Sequence, residues 1–277
     1  MTFASQTPRL RFSANLGFLW PELPLTERIA RAAAAGFDAV ECHYPFDTPP
    51  AETRRALEAA GLTMVSLNTS PGDLEKGEFG LAALPGQENR ARAAIDQAIR
   101  YAAQTGCGHV HVLAGLAANL PGAAETLRRN LDHASRLASQ AGVTILLEAI
   151  NRLDAPGCFW RDETHVAGFV REGGWENVRL MLDCYHTLRR GGDPFEVHGR
   201  HADLVAHVQF AGFPGRAEPN GDQGRDVIAD LSRIAANGYL GFFGAEYRPS
   251  GDTDAGLGWL AACQASGVRH VGRPSMA

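Results

Sequence analysis

The chain has five cysteines among 277 residues, and no two of them form a C-x-x-C pair. Scattered at Cys42, Cys107, Cys158, Cys184 and Cys263, and odd in number, they argue against a disulfide framework and against a thiolate zinc site. No cluster of Lys and Arg offsets the formal net charge of −5, so the electrostatic footprint of a nucleic-acid partner is missing. No apolar run approaches the ~20 residues of a membrane-spanning helix. The opening stretch, MTFASQTPRLRF, lacks the apolar core of a signal peptide. A cytoplasmic setting and a small-molecule partner follow by default, with neither nucleic acid nor membrane; homo-oligomer formation stays open. A convincing G-x-G-x-x-G turn after an apolar run is also lacking, which argues against an open dinucleotide-binding sheet.

What the sequence does have is one recurring device. An Ala-rich amphipathic stretch ends at a glycine, and a short β-rich run follows. It appears as AAAAG-FDAVECHY, LEAAG-LTMVSLN, AAQTG-CGHVHVLAG, ASQAG-VTILLEAIN, REGG-WENVRLMLDCYH and AANG-YLGFFGAEY. The glycines (Gly36, Gly61, Gly106, Gly142, Gly174 and Gly238) suit the left-handed position that closes a helix, where a Cβ would be strained. With RFSAN and LVAHVQFA the pattern predicts eight strands, near 11–15, 39–44, 63–68, 109–115, 143–150, 178–184, 204–211 and 241–247. Helices are predicted at 25–35, 50–60 (Thr48 as cap, Pro49 at the first position), 88–105, 123–141, 163–172, 195–202, 225–237 and 255–265. Eight βα units with right-handed crossovers favour an α/β fold closed as a (β/α)8 TIM barrel, which needs ~250 residues. No linker-like stretch interrupts them, so the chain reads as a single domain over 1–277, with tails at 1–9 and 268–277.

In such barrels chemistry lies at the carboxyl ends of the strands. Here Glu148 closes TILLE, Asp183 closes RLMLD, Gln209 lies in AHVQF and Glu246 closes FFGAE. A carboxylate after several apolar residues costs desolvation energy unless it is paired or binds a cation. Three such groups around one axis repel each other, and a divalent metal between them supplies the missing charge. The oxygen-only donor set suits Mg²⁺ or Mn²⁺. The competing reading is a set of structural salt bridges to the nearby Arg152, Arg189 and Arg248.

The segments LLEAIN, LDCYH, HVQFAGFPGRAEP, GFFGAEYRP and AGLGW, with RFSANLGFLW and PGDLEKGEFG, resemble the hydroxypyruvate isomerase family of xylose-isomerase-like barrels over nearly the whole chain. The resemblance implies that Glu148, Asp183, Gln209 and Glu246 bind one divalent ion and that Glu148 and Glu246 are the catalytic pair. Gln209 stands where the related ketose 3-epimerases have a His. The implied reaction converts hydroxypyruvate to 2-hydroxy-3-oxopropanoate (tartronate semialdehyde) by proton transfer through an enediolate, without a redox cofactor. Three departures leave the substrate open: Gly77-Glu78-Phe79-Gly80 lacks the family's Arg, Gly212 stands where an Asp is usual, and the turn Gln223-Gly224-Arg225-Asp226 differs. A four-carbon 2-oxo acid and a ketose, handled by 3-epimerisation, remain in play. So does a non-catalytic sugar-binding barrel, while a phosphodiesterase of the apurinic-endonuclease kind is disfavoured by the net charge and by too few His ligands.

Further residues qualify for contact with substrate. By resemblance to the epimerases His186 hydrogen-bonds a substrate oxygen, and Arg216 has the planar fork that clamps a carboxylate or hydroxyl. Glu41, His43 and Asn68, at the ends of the second and third strands, are assigned to the pocket wall. His109, His111 and His207 read as buried, satisfied side chains or groups orienting the carboxylates, and His198 and His201 as a solvated helix face. Phe18, Trp20, Phe46, Phe213 and Tyr247 are candidates for keeping water from the site.

Overall fold

Glycine ends the helices much as the sequence predicts, and each chain reversal returns the backbone to a growing sheet. The computed structural model describes residues 9–219 and 225–265. Its strands are β1 (Phe12–Asn15), β2 (Ala39–Cys42), β3 (Met64–Asn68), β4 (His109–His111), β5 (Thr144–Glu148), β6 (Val178–Asp183), β7 (Val205–Phe210) and β8 (Phe243–Ala245). All pair in parallel in chain order, and β8 closes on β1 to complete a (β/α)8 barrel. The helices are α1 (Leu25–Ala35), α2 (Pro50–Ala60), α3 (Glu88–Thr105), α4 (Ala123–Ala141), α5 (Glu163–Gly173), α6 (Cys184–Arg189), α7 (Pro194–His201), α8 (Val227–Ala236) and α9 (Gly258–Ala265). Among the described residues no helix is long and apolar enough to cross a membrane.

Helical periodicity decides which side chains go inward. On α4, Leu127, Leu131, Ala134 and Ala138 follow one another at three- and four-residue steps and are fully buried. Ile29, Ile95, Ile99, Leu231 and Ile234 do the same work on their helices. Each such Leu or Ile contributes about 1.5–3 kcal/mol by leaving water.

Several boundaries differ from the expected ones. Pro49, not Thr48, is the capping residue of α2, with Pro50 at its first position; Thr48 ends a preceding 3₁₀ turn, Pro45–Asp47. The last helix cap before β8 is Asn237, with Gly238 following at φ +96°. β4 and β8 are shorter than predicted, because the barrel pairs only three residues of each. Helix α6 was not expected: Asp183 ends β6 and at once caps α6, its Oδ1 accepting the Tyr185 N–H at 2.7 Å. The tails at 1–8 and 268–277 and the Gln223-Gly224 part of the seventh turn lie outside the described residues.

His198 and His201 are a correction. Both are buried, because α7 packs between α5 and α8: His201 Nε2 lies 3.4 Å from Thr164 Oγ1, and His198 Nδ1 lies 3.1 Å from Asn237 Nδ2. A three-residue spacing alone did not reveal that both sides of this helix are covered.

Candidate active site

Residues two apart on a strand share a face, and parallel register brings the matching faces together. Asn15 stands opposite Glu41, and Asp183 opposite Gln209. The inward residues near the strand ends are polar: Ser13 and Asn15 on β1, Glu41 on β2, His111 on β4, Glu148 on β5, Asp183 on β6, His207 and Gln209 on β7. Glu246 follows β8 directly. All nine are at least nine-tenths buried.

Glu41 is the centre of the lower half of this constellation. Its carboxylate accepts from Ser13 Oγ at 3.0 Å, Asn15 Nδ2 at 2.9 Å and Gln209 Nε2 at 2.7 Å, and His207 Nε2 lies 2.7 Å away. Such a set of donors is what lets a carboxylate sit 1% exposed inside a barrel. Gly244 makes the room: a Cβ there would collide with the Glu41 carboxylate. Both Glu41 oxygens are therefore engaged by neighbouring side chains.

The upper half holds the carboxylates. Glu246 is gripped from three sides, with His43 Nε2 at 2.7 Å and Asn15 Nδ2 at 3.2 Å on one oxygen and Arg216 at 2.7 Å on the other. Burial pushes its pKa up, but Arg216 and His43 outweigh burial and hold it at about 2. Arg216 also lies 3.6 Å from Asp183. Glu148 has no arginine at ion-pair distance among the described residues, only His186 at 3.4 Å and His111 at 3.7 Å; burial, then the charges of Glu246 and Asp183, raise it well above the ordinary range. Asp183 is pushed up to about 7, chiefly by burial. The charge-pairing role assigned by the competing reading thus falls to Arg216. Arg152 instead donates to the Cys158 and Phe159 carbonyls, Arg189 reaches Asp154, and Arg248 rests over Phe18.

His186, in the first turn of α6, puts Nε2 at 3.4 Å from Glu148 Oε1 and 3.5 Å from Asp183 Oδ2. Glu148, Asp183 and His186 offer ligand atoms all within 4.8 Å of one another, a group able to hold a cation. The donor chemistry fits a hard divalent ion. Glu148 Oε1, Asp183 Oδ2 and Gln209 Oε1 are each buried with no hydrogen-bond partner among the described residues, and a buried oxygen left so costs about 1–3 kcal/mol. His43 reaches Glu246 instead, and Asn68 is tied to the same segment: the Asn68 N–H donates to the His43 carbonyl at 2.9 Å, and the Asn68 side chain bonds Tyr44.

Of the aromatic residues expected to shield the site, Phe18 stands against it, 4.8 Å from the His43 ring, with the Arg216 and Arg248 guanidinium groups 5.3 and 5.2 Å from its ring. Trp20 and Tyr247 belong to the core instead, with their polar atoms turned to Asp254 and Trp259. Phe46 packs edge-on against Tyr101. Sequence reading missed Asn15 and Asn151. The signals were present: Asn15 alternates with Ser13, and Asn151 lies three residues beyond Glu148.

Known proteins resemble this chain over most of its length. Residues 29–263 match the family described as xylose isomerase-like TIM barrel. A 2-oxo-tetronate isomerase of Cupriavidus necator is 40% identical over 257 residues, covering 90% of this chain and 97% of the relative. A putative hydroxypyruvate isomerase of Homo sapiens is 38% identical over 263 residues, covering 91% and 94%. Among solved structures, one titled AP endonuclease, family 2, from Brucella melitensis superposes with a TM-score of 0.86 at 35% identity, covering 91% of this chain and 98% of that one.

Proposed function

The chain is an isomerase of the xylose isomerase-like TIM barrel family, and on that premise we propose that it interconverts hydroxypyruvate and 2-hydroxy-3-oxopropanoate, or a close hydroxy-oxo acid such as a 2-oxo-tetronate. The observation that carries the reading is the trio of buried, unpartnered oxygens on Glu148, Asp183 and Gln209. With Glu246 they form the oxygen donor set for one Mg²⁺ or Mn²⁺ ion. When bound, such an ion supplies positive charge where negative charge develops on the substrate oxygens.

The chain's own groups divide the remaining work. Glu246, kept ionised by Arg216 and His43, takes the carbon-bound proton from the hydroxymethyl carbon. Glu148 delivers a proton drawn from solvent to the neighbouring carbon, Glu246 releases its proton to solvent, and the hydroxyl proton passes between the two substrate oxygens, so that substrate and both carboxyl groups end balanced. His186 donates to a substrate oxygen. Glu41 acts from below, holding the Gln209 amide rather than touching substrate. His43 and Asn68 line the pocket beside Glu246.

Two cations at one rim favour an acid over a neutral sugar. Arg216 and Arg248 both lean on Phe18, and the Arg216 Nε–H is buried without a partner. A substrate carboxylate arriving there meets that N–H donor and the charge of Arg248, which forms no ion pair among the described residues. The reading is tested by incubating the purified protein with hydroxypyruvate, a four-carbon 2-oxo acid and a ketose, with Mg²⁺ or Mn²⁺ and again with chelator. Aldehyde product from an oxo acid, lost with chelator, is the expected result. Epimerisation of the ketose with both acids untouched would replace the proposal by the 3-epimerase reading, and inertness toward all three would leave a binding barrel.

A further inference from the structure

Asn151 is fully buried in the turn after β5, and every hydrogen-bonding group of its side chain is used. Its Oδ1 accepts the backbone N–H groups of Leu153 at 3.1 Å and Asp154 at 2.9 Å. Its amide hydrogens go to Asp154 Oδ2 at 2.9 Å and to His186 Nδ1 at 2.7 Å. Turning the amide over would set its NH₂ against two backbone N–H donors and its oxygen against the Asp154 carboxylate. The orientation is therefore dictated by groups that cannot reverse their own roles. Asp154 is braced in turn by Arg189 at 3.4 Å.

An imidazole nitrogen that accepts a hydrogen bond carries no proton, so the His186 proton must sit on Nε2. We propose that Asn151 is a positioning residue that locks this tautomer, so that His186 presents an N–H, not a lone pair, to the gap between Glu148 Oε1 and Asp183 Oδ2. Two consequences follow. The third member of the Glu148–Asp183–His186 cluster is a hydrogen-bond donor rather than a metal ligand, and any cation there is held by oxygens alone. The donor is also fixed before substrate arrives, with no proton to rearrange during turnover. Only the catalytic consequence rests on the isomerase reading; the tautomer belongs to the protein alone.

The test uses the full-length protein labelled with ¹⁵N-histidine, free of metal and substrate, at a pH of about 8, well above the ordinary histidine pKa of about 6.5. The His186 signals are identified by their loss in His186→Gln. A bare Nδ1 and a protonated Nε2 are expected; a protonated Nδ1 in the native protein would overturn the proposal outright. Asn151→Asp replaces the donor by an acceptor of the same shape, and the proton should move to Nδ1. An unchanged tautomer in that variant would show that Asn151 does not set it. In the turnover assay Asn151→Asp should lower kcat about 10- to 100-fold, as loss of an orienting partner typically does, with KM nearly unchanged. An inverted tautomer with native kcat would remove His186 donation from the mechanism. Failure of the isomerase reading would instead show as inactivity of the native protein with its tautomer as proposed.

Discussion

The side-chain amide of Gln209 donates to Glu41 at 2.7 Å, and its oxygen is left buried without a partner. The hydrogen bond below determines which end of the amide is presented above. Glu41→Gln removes that discrimination, since an amide at 41 can face Gln209 with either end. Mn²⁺ affinity, followed by calorimetric titration, should fall about 10- to 100-fold, with the melting temperature far less affected. Native affinity in this variant would mean that Gln209 is oriented by something else or is not a ligand.

Gly244→Ala examines the same network through its packing. The added Cβ falls on the Glu41 carboxylate, which cannot retreat without abandoning Ser13, Asn15, His207 or Gln209. Overpacking of this kind costs about 1–3 kcal/mol. Denaturant unfolding should show that loss together with weaker metal binding; a variant of native stability would show that the barrel interior has slack at this level.

The pH dependence of stability follows from Glu148. Its carboxyl is raised well above its ordinary 4.5, first by burial and then by the charges of Glu246 and Asp183. A group raised in the fold contributes stability that is complete below its unfolded pKa and is lost as pH rises through its folded one. Asp183, pushed to about 7, adds to the same trend. The metal-free protein should weaken from mildly acidic to alkaline pH. Glu148→Gln, with no proton to lose, should melt above the native chain at alkaline pH. The gap should close toward pH of about 5, near the ordinary carboxylate range. Mg²⁺ should raise the native melting temperature and leave the variant unmoved. A variant less stable than the native protein at alkaline pH contradicts this account of the site.

Arg248 separates recognition from chemistry. It is exposed and touches Phe18, with no carboxylate of the described residues at ion-pair distance. Arg248→Gln should raise KM for hydroxypyruvate several-fold, the effect of ~1 kcal/mol of lost binding, with kcat nearly unchanged. A fall in kcat at constant KM would place Arg248 in the proton-transfer step instead.

The parts of this protein visible in its sequence are those set by local rules. A glycine that must adopt positive φ marks a helix end, and a carboxylate after an apolar run marks a strand mouth; Gly36, Gly142, Glu148 and Asp183 all follow. What barrel closure brings together was not visible. Glu41 and His207 meet across 166 positions of sequence, and Asn15 reaches Glu246 across 231. No local pattern reports such a meeting. The sequence assigns Arg216 to a substrate oxygen, whereas its hold on Glu246 depends on a loop conformation in which Arg216 itself has φ +58°. Helix α6 escaped notice because its cap, Asp183, is also the last residue of a strand.

The most direct test of the central claim follows hydrogen at carbon. The protein is incubated with Mg²⁺ and hydroxypyruvate in D₂O, and NMR follows the hydroxymethyl protons. Proton transfer by Glu246 and Glu148 predicts deuterium at carbon in recovered substrate and in the aldehyde product, and neither in Glu246→Gln. Hydroxypyruvate and a four-carbon 2-oxo acid that both keep their protons, in the presence of a metal shown to be bound, would contradict the account.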